Sequence, residues 1–492
     1  MNPKRIERRE QSDHKTVVAS DILQTQNKGQ LVEKNDEKKE KAKSKKKVTK
    51  IHKIYLVVAL IIGITFSVFM PFFNEPDGQY HYVISSNIVG ITNDVTHYGE
   101  TYTFYGDQYQ HEVPYYKTGS FFEHYFVRKI SRISMTEEKR AGYVPQVFSY
   151  NYFGHLIPAA GLWLGYQIYP SMGVMIVMGR LLSMFVCTLI MYFIIKRLRH
   201  GKLLFAAVSL LPVTINLFSS LSYDATGFVL SALIVATTIN ALADRKVTLV
   251  LITRMLLLSA VSFVAIKTNF LLLLLLFPLV ICSIFWQNWS KRENFKAWLK
   301  KYRLVFFILS LFIFAFVIAA VIDYSVADGG FGRVIYRLFI NQFYVFDTSY
   351  SVVASTLVQP LGLNNSLMPT WTVGLWFFIL GLAAFSENGF VKTRLMSAGA
   401  FVIFLLNILA VYLSFLTYPV SPNNSGIMGQ ITGVQGRYFT PTLLLFAIIA
   451  GNSRLKLRVT GQKSLQIALI IVALVTNATL LFNTLFTIYN MS

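Results

Sequence analysis

The chain reads as an all-α integral membrane protein with about 11 transmembrane helices. Three observations predict this. Apolar residues fill 54% of the 492 positions, with a mean hydropathy of +0.49, whereas soluble domains hold roughly 45 to 50%. Apolar runs recur that approach the about 20 residues a helix needs to cross a bilayer. Lys and Arg, 46 residues against 24 Asp and Glu, crowd the N-terminal tail and the short segments between those runs. That distribution orients a membrane protein; it is not a patch for nucleic acid.

In chain order, residues 1–53 mix Lys41, Lys43, Lys45, Lys46 and Lys47 with Glu33, Asp36, Glu37 and Glu40 and lack apolar periodicity. They are expected to form a disordered, basic cytoplasmic tail whose lysines can touch anionic lipid. No small-residue cleavage site follows the first apolar run, so a cleaved signal peptide is not expected. Residues 54–492 are expected to form the transmembrane domain, with spans at 54–73, 172–195, 203–218, 225–243, 250–266, 268–286, 304–322, 371–385, 395–416, 438–451 and 464–489. Cys187 and Cys282 both fall inside apolar runs, which argues against a disulfide framework or a cysteine metal site.

One further stretch, 151–169, is apolar but carries His155, Pro158 and Gln167 and ends only two residues before the next span. Counted as a span, it would put Lys196, Arg197, Arg199 and Lys202 outside; read as a helix in the interface, it keeps them inside, in accord with the charge rule. On that reading Arg245 and Lys246, the cluster from Lys291 to Arg303, Lys392 and Arg394, and the run from Arg454 to Lys463 are also cytoplasmic. The outer face then receives 74–170, 219–224, 323–370 and 417–437, with the turn Lys267-Thr268-Asn269. The first outer loop contains Tyr98, Tyr102, Tyr105, Tyr109, Tyr115 and Tyr116, which read as interfacial anchors, and the alternation from Thr101 to Tyr105, which allows a short strand pair.

Ionisable residues at membrane depth are costly unless they face a cavity or a partner. Glu75, Asp77 and His81 follow directly on the first span, Asp224 opens the span at 225, Lys267 sits between two runs, and Arg437 opens another within Gly-flanked sequence. Asp77, Asp224, Lys267 and Arg437 are therefore expected at one depth on one side. A carboxylate that deprotonates a hydroxyl, beside cations that steady a leaving phosphate, is the equipment for group transfer. Plainer roles stand beside this: Asp224 as a helix cap, Lys267 snorkelling, Arg437 as an anchor, and His81, on one face with Asp77 if the segment is helical, as a hydrogen-bonded partner.

The run Pro76-Asp77-Gly78-Gln79-Tyr80-His81 resembles the Pro-Asp-Glu-x-x-His signature of a family of bacterial multi-pass membrane proteins of unknown function. Ser220 to Asp224, Lys267 and Gln435-Gly436-Arg437-Tyr438-Phe439 are similar to that family's later elements, in the same order. Gly78 departs from it, standing where the pattern has glutamate, with Glu75 supplying a Glu-x-Asp pair instead. That family in turn resembles GT-C glycosyltransferases, with Asn151 to Tyr169 placed as a juxtamembrane helix and Gly179-Arg180-Leu181-Leu182 opening the next span.

The resemblance implies an enzyme of the bacterial cell membrane, active on the outer face, that moves a sugar from a polyprenyl-phosphate donor to a glycan or lipid acceptor with inversion. Asp77, as general base, and Glu75 would be catalytic; His81, Asp224, Lys267, Gln435, Arg437 and Tyr438 would bind substrate, Asp224 assisting or positioning the acceptor and Lys267 and Arg437 holding the donor phosphate. Some GT-C enzymes use a divalent metal, which the altered acidic motif leaves open here. A flippase for lipid-linked saccharide and an inactive envelope scaffold are the alternatives.

Overall fold

In the computed structural model of the protein, the residues described are 51–73, 75–91, 123–127, 129, 145–288, 330–343, 352–360, 368–387, 389–416, 431, 433–453 and 462–490, with scattered helical positions between 297 and 315. The tail, the tyrosine-rich run with its expected strand pair, and most of the span expected at 304–322 lie outside them. Residues 51–492 form one compact unit. All regular structure among the described residues is helical. Among the described residues, six helices are long and apolar enough to cross a membrane: Ile51–Phe69 (α1), Met172–Arg197, Asp224–Asp244, Thr268–Gln287, Arg394–Leu416 and Lys463–Phe486; Leu249–Ala265, Thr370–Ser386 and Thr440–Ala450 are shorter apolar helices.

α1 ends at Met70-Pro71 and is followed by a short helix, Gly78–Ile88 (α2). The next helix, Tyr150–Ile168 (α3), is not among the six. It folds back along Met172–Arg197 (α4) in an antiparallel hairpin. Glycines bring the two backbones together: a Cβ on Gly161 would stand 2.6 Å from the Cα of Gly179, and one on Gly165 2.7 Å from the Cα of Met175. Small residues permit such approach. The hairpin uses the half of α4 that extends past α1, because Arg180 reaches back to the carbonyls of Met70 and Pro71 at 2.7 and 2.8 Å.

The run at 203–218, continuous in hydropathy, is not one helix. It breaks into Lys202–Ser209 (α5) and Pro212–Phe218 (α6), because Pro212 has no N–H to continue the ladder. Deep in an apolar core, freed carbonyls must be satisfied internally: Asn477 donates to the carbonyl of Leu210 at 3.1 Å, and the Thr214 hydroxyl to that of Val208 at 2.7 Å. Both pieces are almost wholly buried: α5 packs on α1, α4, Thr370–Ser386 and Thr440–Leu445, and α6 on α1, α4 and the central helix Asp224–Asp244 (α7).

Leu249–Ala265 (α8) is capped by Thr248, whose hydroxyl accepts from Leu251 N at 3.2 Å, and turns through Lys267 into Thr268–Gln287 (α9). Phe331–Phe343 (α10) and Val352–Leu357 (α11) precede Thr370–Ser386 (α12), Arg394–Leu416 (α13), Thr440–Ala450 (α14) and Gln462–Asn490 (α15). A main apolar core runs through α1, α4–α9 and α11–α15, with smaller ones around Phe72, Tyr82 and Met175 and around Val334, Val411 and Val434.

Candidate functional site: a chain of four charges beside a cavity

Asp77 sits just before α2 in the left-handed region, at φ 59° and ψ 31°, a conformation that Asp and Asn tolerate better than most residues. Its carboxylate does not cap the helix. It accepts instead from the Arg437 guanidinium, Nη2 to Oδ2 at 2.9 Å. Gly78 permits this bend, since a Cβ there would fall 2.6 Å from the Cα of Phe73.

Arg437 is delivered by a 3-10 turn, Gly436–Tyr438, pressed onto α11. Gly436 donates to the Ser355 hydroxyl at 2.9 Å, and any Cβ on it would meet the Thr356 nitrogen at 2.2 Å. From there Arg437 Nε lies 3.2 Å from Asp224 Oδ2, while Asp224 Oδ1 pairs with Lys267 Nζ at 3.0 Å. Asp224 is in the first turn of α7 with Tyr223 at the cap position; its side chain is spent on the two cations. The order Lys267, Asp224, Arg437, Asp77 alternates in sign, so four residues remote in sequence form one ion-paired line of zero formal charge.

Exposure along this line is uneven. The side chains of Arg437 and Asp224 are 1% and 5% exposed, that of Lys267 15% and that of Asp77 42%. A cavity of about 690 Å³ lies on the open side, lined by Asp77, Tyr80, Tyr223, Lys267, Gln435 and Tyr438 together with residues of α9 and α13. Lys267 Nζ stands 4.0 Å from the centre of the Tyr438 ring and 4.6 Å from that of Tyr223, a cation held against two aromatic faces. The Tyr438 ring stacks on Phe415 at 5.9 Å. Gln435 Oε1 is buried and has no hydrogen-bond partner among the described residues.

Of the residues singled out in the sequence, Asp77, Lys267, Gln435 and Tyr438 line the cavity, and Asp224 and Arg437 stand directly behind them. His81 does not reach it. Its Nδ1 is 2.9 Å from His155 Nε2, and His155 Nδ1 contacts the Asn151 carbonyl. Both imidazoles pack edge-on to the Tyr223 ring, at 5.0 and 5.3 Å, so His81 supports a wall of the cavity. Burial, then the neighbouring His155, Arg437 and Lys267, hold His81 well below the usual histidine range; burial pushes His155 down to about 4.

Glu75 is not part of the site. It is buried against Arg180 at 2.6 Å, with Arg180 also bonded to the Met70 and Pro71 carbonyls. The pair locks the end of α1 to α4. The sequence reading paired Glu75 with Asp77 by proximity and saw Gly179-Arg180 without its partner. It also passed over Tyr223, Tyr80, Tyr150, Asn269 and Ser414 as lining residues.

A second cavity of about 600 Å³, almost entirely apolar, lies across α13. Ile408 and Tyr412 face it, with Phe439 and Leu443, whereas Ala410 and Ser414 face the polar one. Among the described residues, no three of His, Cys, Asp or Glu gather as metal ligands would. A family model described as a predicted membrane protein (DUF2142) matches residues 60–446. The chain belongs to the DUF2142 family. That span contains Asp77, Asp224, Lys267 and Arg437, so the charge line lies within the DUF2142 portion. No curated protein and no solved structure matches this DUF2142 chain.

Proposed function

We propose that the protein is a membrane glycosyltransferase of GT-C type, which moves a sugar from a polyprenyl-phosphate donor to a hydroxyl of a cell-envelope glycan or lipid on the outer face. The observation that carries this reading is the ion-paired line ending in a half-exposed carboxylate, Asp77, at a cavity that also presents Lys267. Asp77 takes the proton of the acceptor hydroxyl; the oxygen attacks the anomeric carbon from the face opposite the phosphate; the carbon–oxygen bond to phosphate breaks; and polyprenyl phosphate leaves with the bonding pair, giving inversion. Lys267, on the cavity wall, meets the phosphate. Arg437 is too deeply buried for that task and is a positioning residue that aims Asp77 and Asp224.

The walls suit the substrate. Tyr80, Tyr223 and Tyr438 offer ring faces, and Gln435 Oε1 offers an acceptor for a sugar hydroxyl. A divalent metal does not fit: Asp77 and Asp224 are each already neutralised by a cation, so no step is routed through one. The outer placement follows the charge rule, since the Asp224 end of α7 is separated from Arg245 and Lys246 by a 21-residue helix, about 30 Å at 1.5 Å per residue.

Paired polar and apolar cavities also serve a flippase, and one experiment separates the two. Purified protein given polyprenyl-phosphate sugar and a hydroxyl acceptor is expected to form product, and Asp77→Asn to abolish it without loss of donor binding. Lipid-linked sugar crossing proteoliposomes unchanged, with no product from the parent chain, would replace the enzyme by a transporter.

A further inference from the structure

At the far end of α7 from Asp224, three separate segments converge on a small pocket of about 270 Å³ lined by His200, Ala243, Arg245, Gly389, Phe390 and Lys392. His200 follows α4, Arg245 closes α7, and Gly389 to Lys392 link α12 to α13. The lining carries two permanent cations and an imidazole and no carboxylate. Asp244, beside the pocket, pairs with Arg199 at 3.5 Å, and the half-buried Glu387 accepts from Gly201 N at 2.7 Å.

The orienting charge rule explains why cations lie at the ends of spans. It does not require them to meet around a shaped depression. Here the frame is built. Gly389 and Val391 both donate to the Gly451 carbonyl, at 2.8 and 3.2 Å, and Asn452 donates to the Val391 carbonyl at 2.7 Å, so the strap is pinned to the turn after α14. His200 lies flat on Phe390, with ring centres 4.6 Å apart and planes 7° from parallel. Arg245 holds φ 51° at the C-terminal cap of α7, a conformation in which glycine is the usual choice.

We propose that this pocket binds a phosphate-bearing anion, the headgroup of an anionic phospholipid in the leaflet opposite the Asp77 cavity. Basic pockets between membrane helices take such headgroups. Arg245 offers a fork of donors to the phosphate oxygens, Lys392 a second charge, and His200 on Phe390 a flat wall. The site stands apart from the transfer reaction and survives if that reading fails.

The test uses delipidated full-length protein in detergent, with native mass spectrometry of bound phosphatidylglycerol against phosphatidylcholine. Phosphatidylglycerol is expected to be retained, and Arg245→Gln with Lys392→Gln to weaken it at least tenfold. The control pair Lys196→Gln with Arg197→Gln, exposed on the same face but outside the pocket, should change it less than twofold. Arg245→Gly relieves the backbone while removing the charge, so it should weaken binding without lowering Tm. Millimolar inorganic phosphate that binds the parent chain and displaces the lipid would keep the site and make its ligand soluble phosphate. Equal losses in both pairs, or none in the pocket pair, would overturn the proposal.

Discussion

Glu75 and Asp77 are two residues apart in the turn after α1, and each carboxylate meets an arginine. The Glu75–Arg180 pair is sealed, both side chains at 4% exposure or less, and Arg180 spends its other donors on backbone carbonyls. The Asp77–Arg437 pair is lopsided: the arginine is equally buried, but the carboxylate opens on a 690 Å³ cavity. The same chemical pair thus acts as a clamp in one place and leaves a half-exposed carboxylate at a cavity in the other. Burial of the acid makes the difference, and φ 59° at Asp77 is what turns its side chain away from the clamp.

The largest expected effect falls on the clamp. Arg180→Ala strands a buried carboxylate and two carbonyls, and thermal unfolding should show a loss of about 3 to 5 kcal/mol. An unchanged Tm would mean that Glu75 is not held as described.

Next is the wall behind the open pair. His81 and His155 are buried neutral, and their folded affinity for protons lies below that of an unfolded histidine, down to about 4 for His155. Between about pH 6.5 and 4 the unfolded chain binds more protons, so stability is full above that window and falls as pH drops through it. His155 alone contributes on the order of 3 kcal/mol, with His81 acting in the same direction. A Tm that stays level from pH 7 to 4.5 would contradict this packing.

Smaller is the cost at Gly78. Alanine or glutamate there must displace the backbone of Phe73, an overpacking worth about 1 to 3 kcal/mol, and Gly78→Glu should disturb the Asp77 turn and add no useful second acid. A Gly78→Glu chain with full stability and higher turnover would overturn that geometry. Smallest in stability is Asp77→Asn: asparagine also accepts the left-handed region, Asp77 is 42% exposed and Arg437 keeps Asp224, so a loss of about 1 kcal/mol or less is expected, against a complete loss of sugar transfer. A large fall in Tm would make Asp77 a second clamp.

The charged residues of the site were legible because ionisable groups beside apolar runs are expensive and must have partners. Asp77, Asp224, Lys267 and Arg437 stood out for that reason, although the sequence could not pair them in order. Glu75 was misassigned because its partner, Arg180, lies inside a span whose hydropathy hides one charge among many apolar residues. The break at Pro212 was lost for a related reason: a hydropathy run registers apolarity, and not the hydrogen-bond ladder that one proline interrupts. The packing of α3 on α4 was illegible because Gly161, Gly165 and Gly179 act through backbone approach, which has no hydropathic trace. The ring faces of the cavity were illegible among many tyrosines, since nothing local distinguishes Tyr223 or Tyr80 from an interfacial anchor.

The central claim is that the cavity in front of Asp77 is open to the exterior and is filled by a lipid phosphate. Ser414→Cys, nearly isosteric and on the cavity wall, tests it in a chain whose exposed Cys282 is replaced by serine. A membrane-impermeant thiol reagent applied to intact cells should modify position 414, and polyprenyl-phosphate sugar added to membranes should slow that modification at least tenfold. Labelling only from the cytoplasmic side, or a rate indifferent to the lipid, would contradict the account.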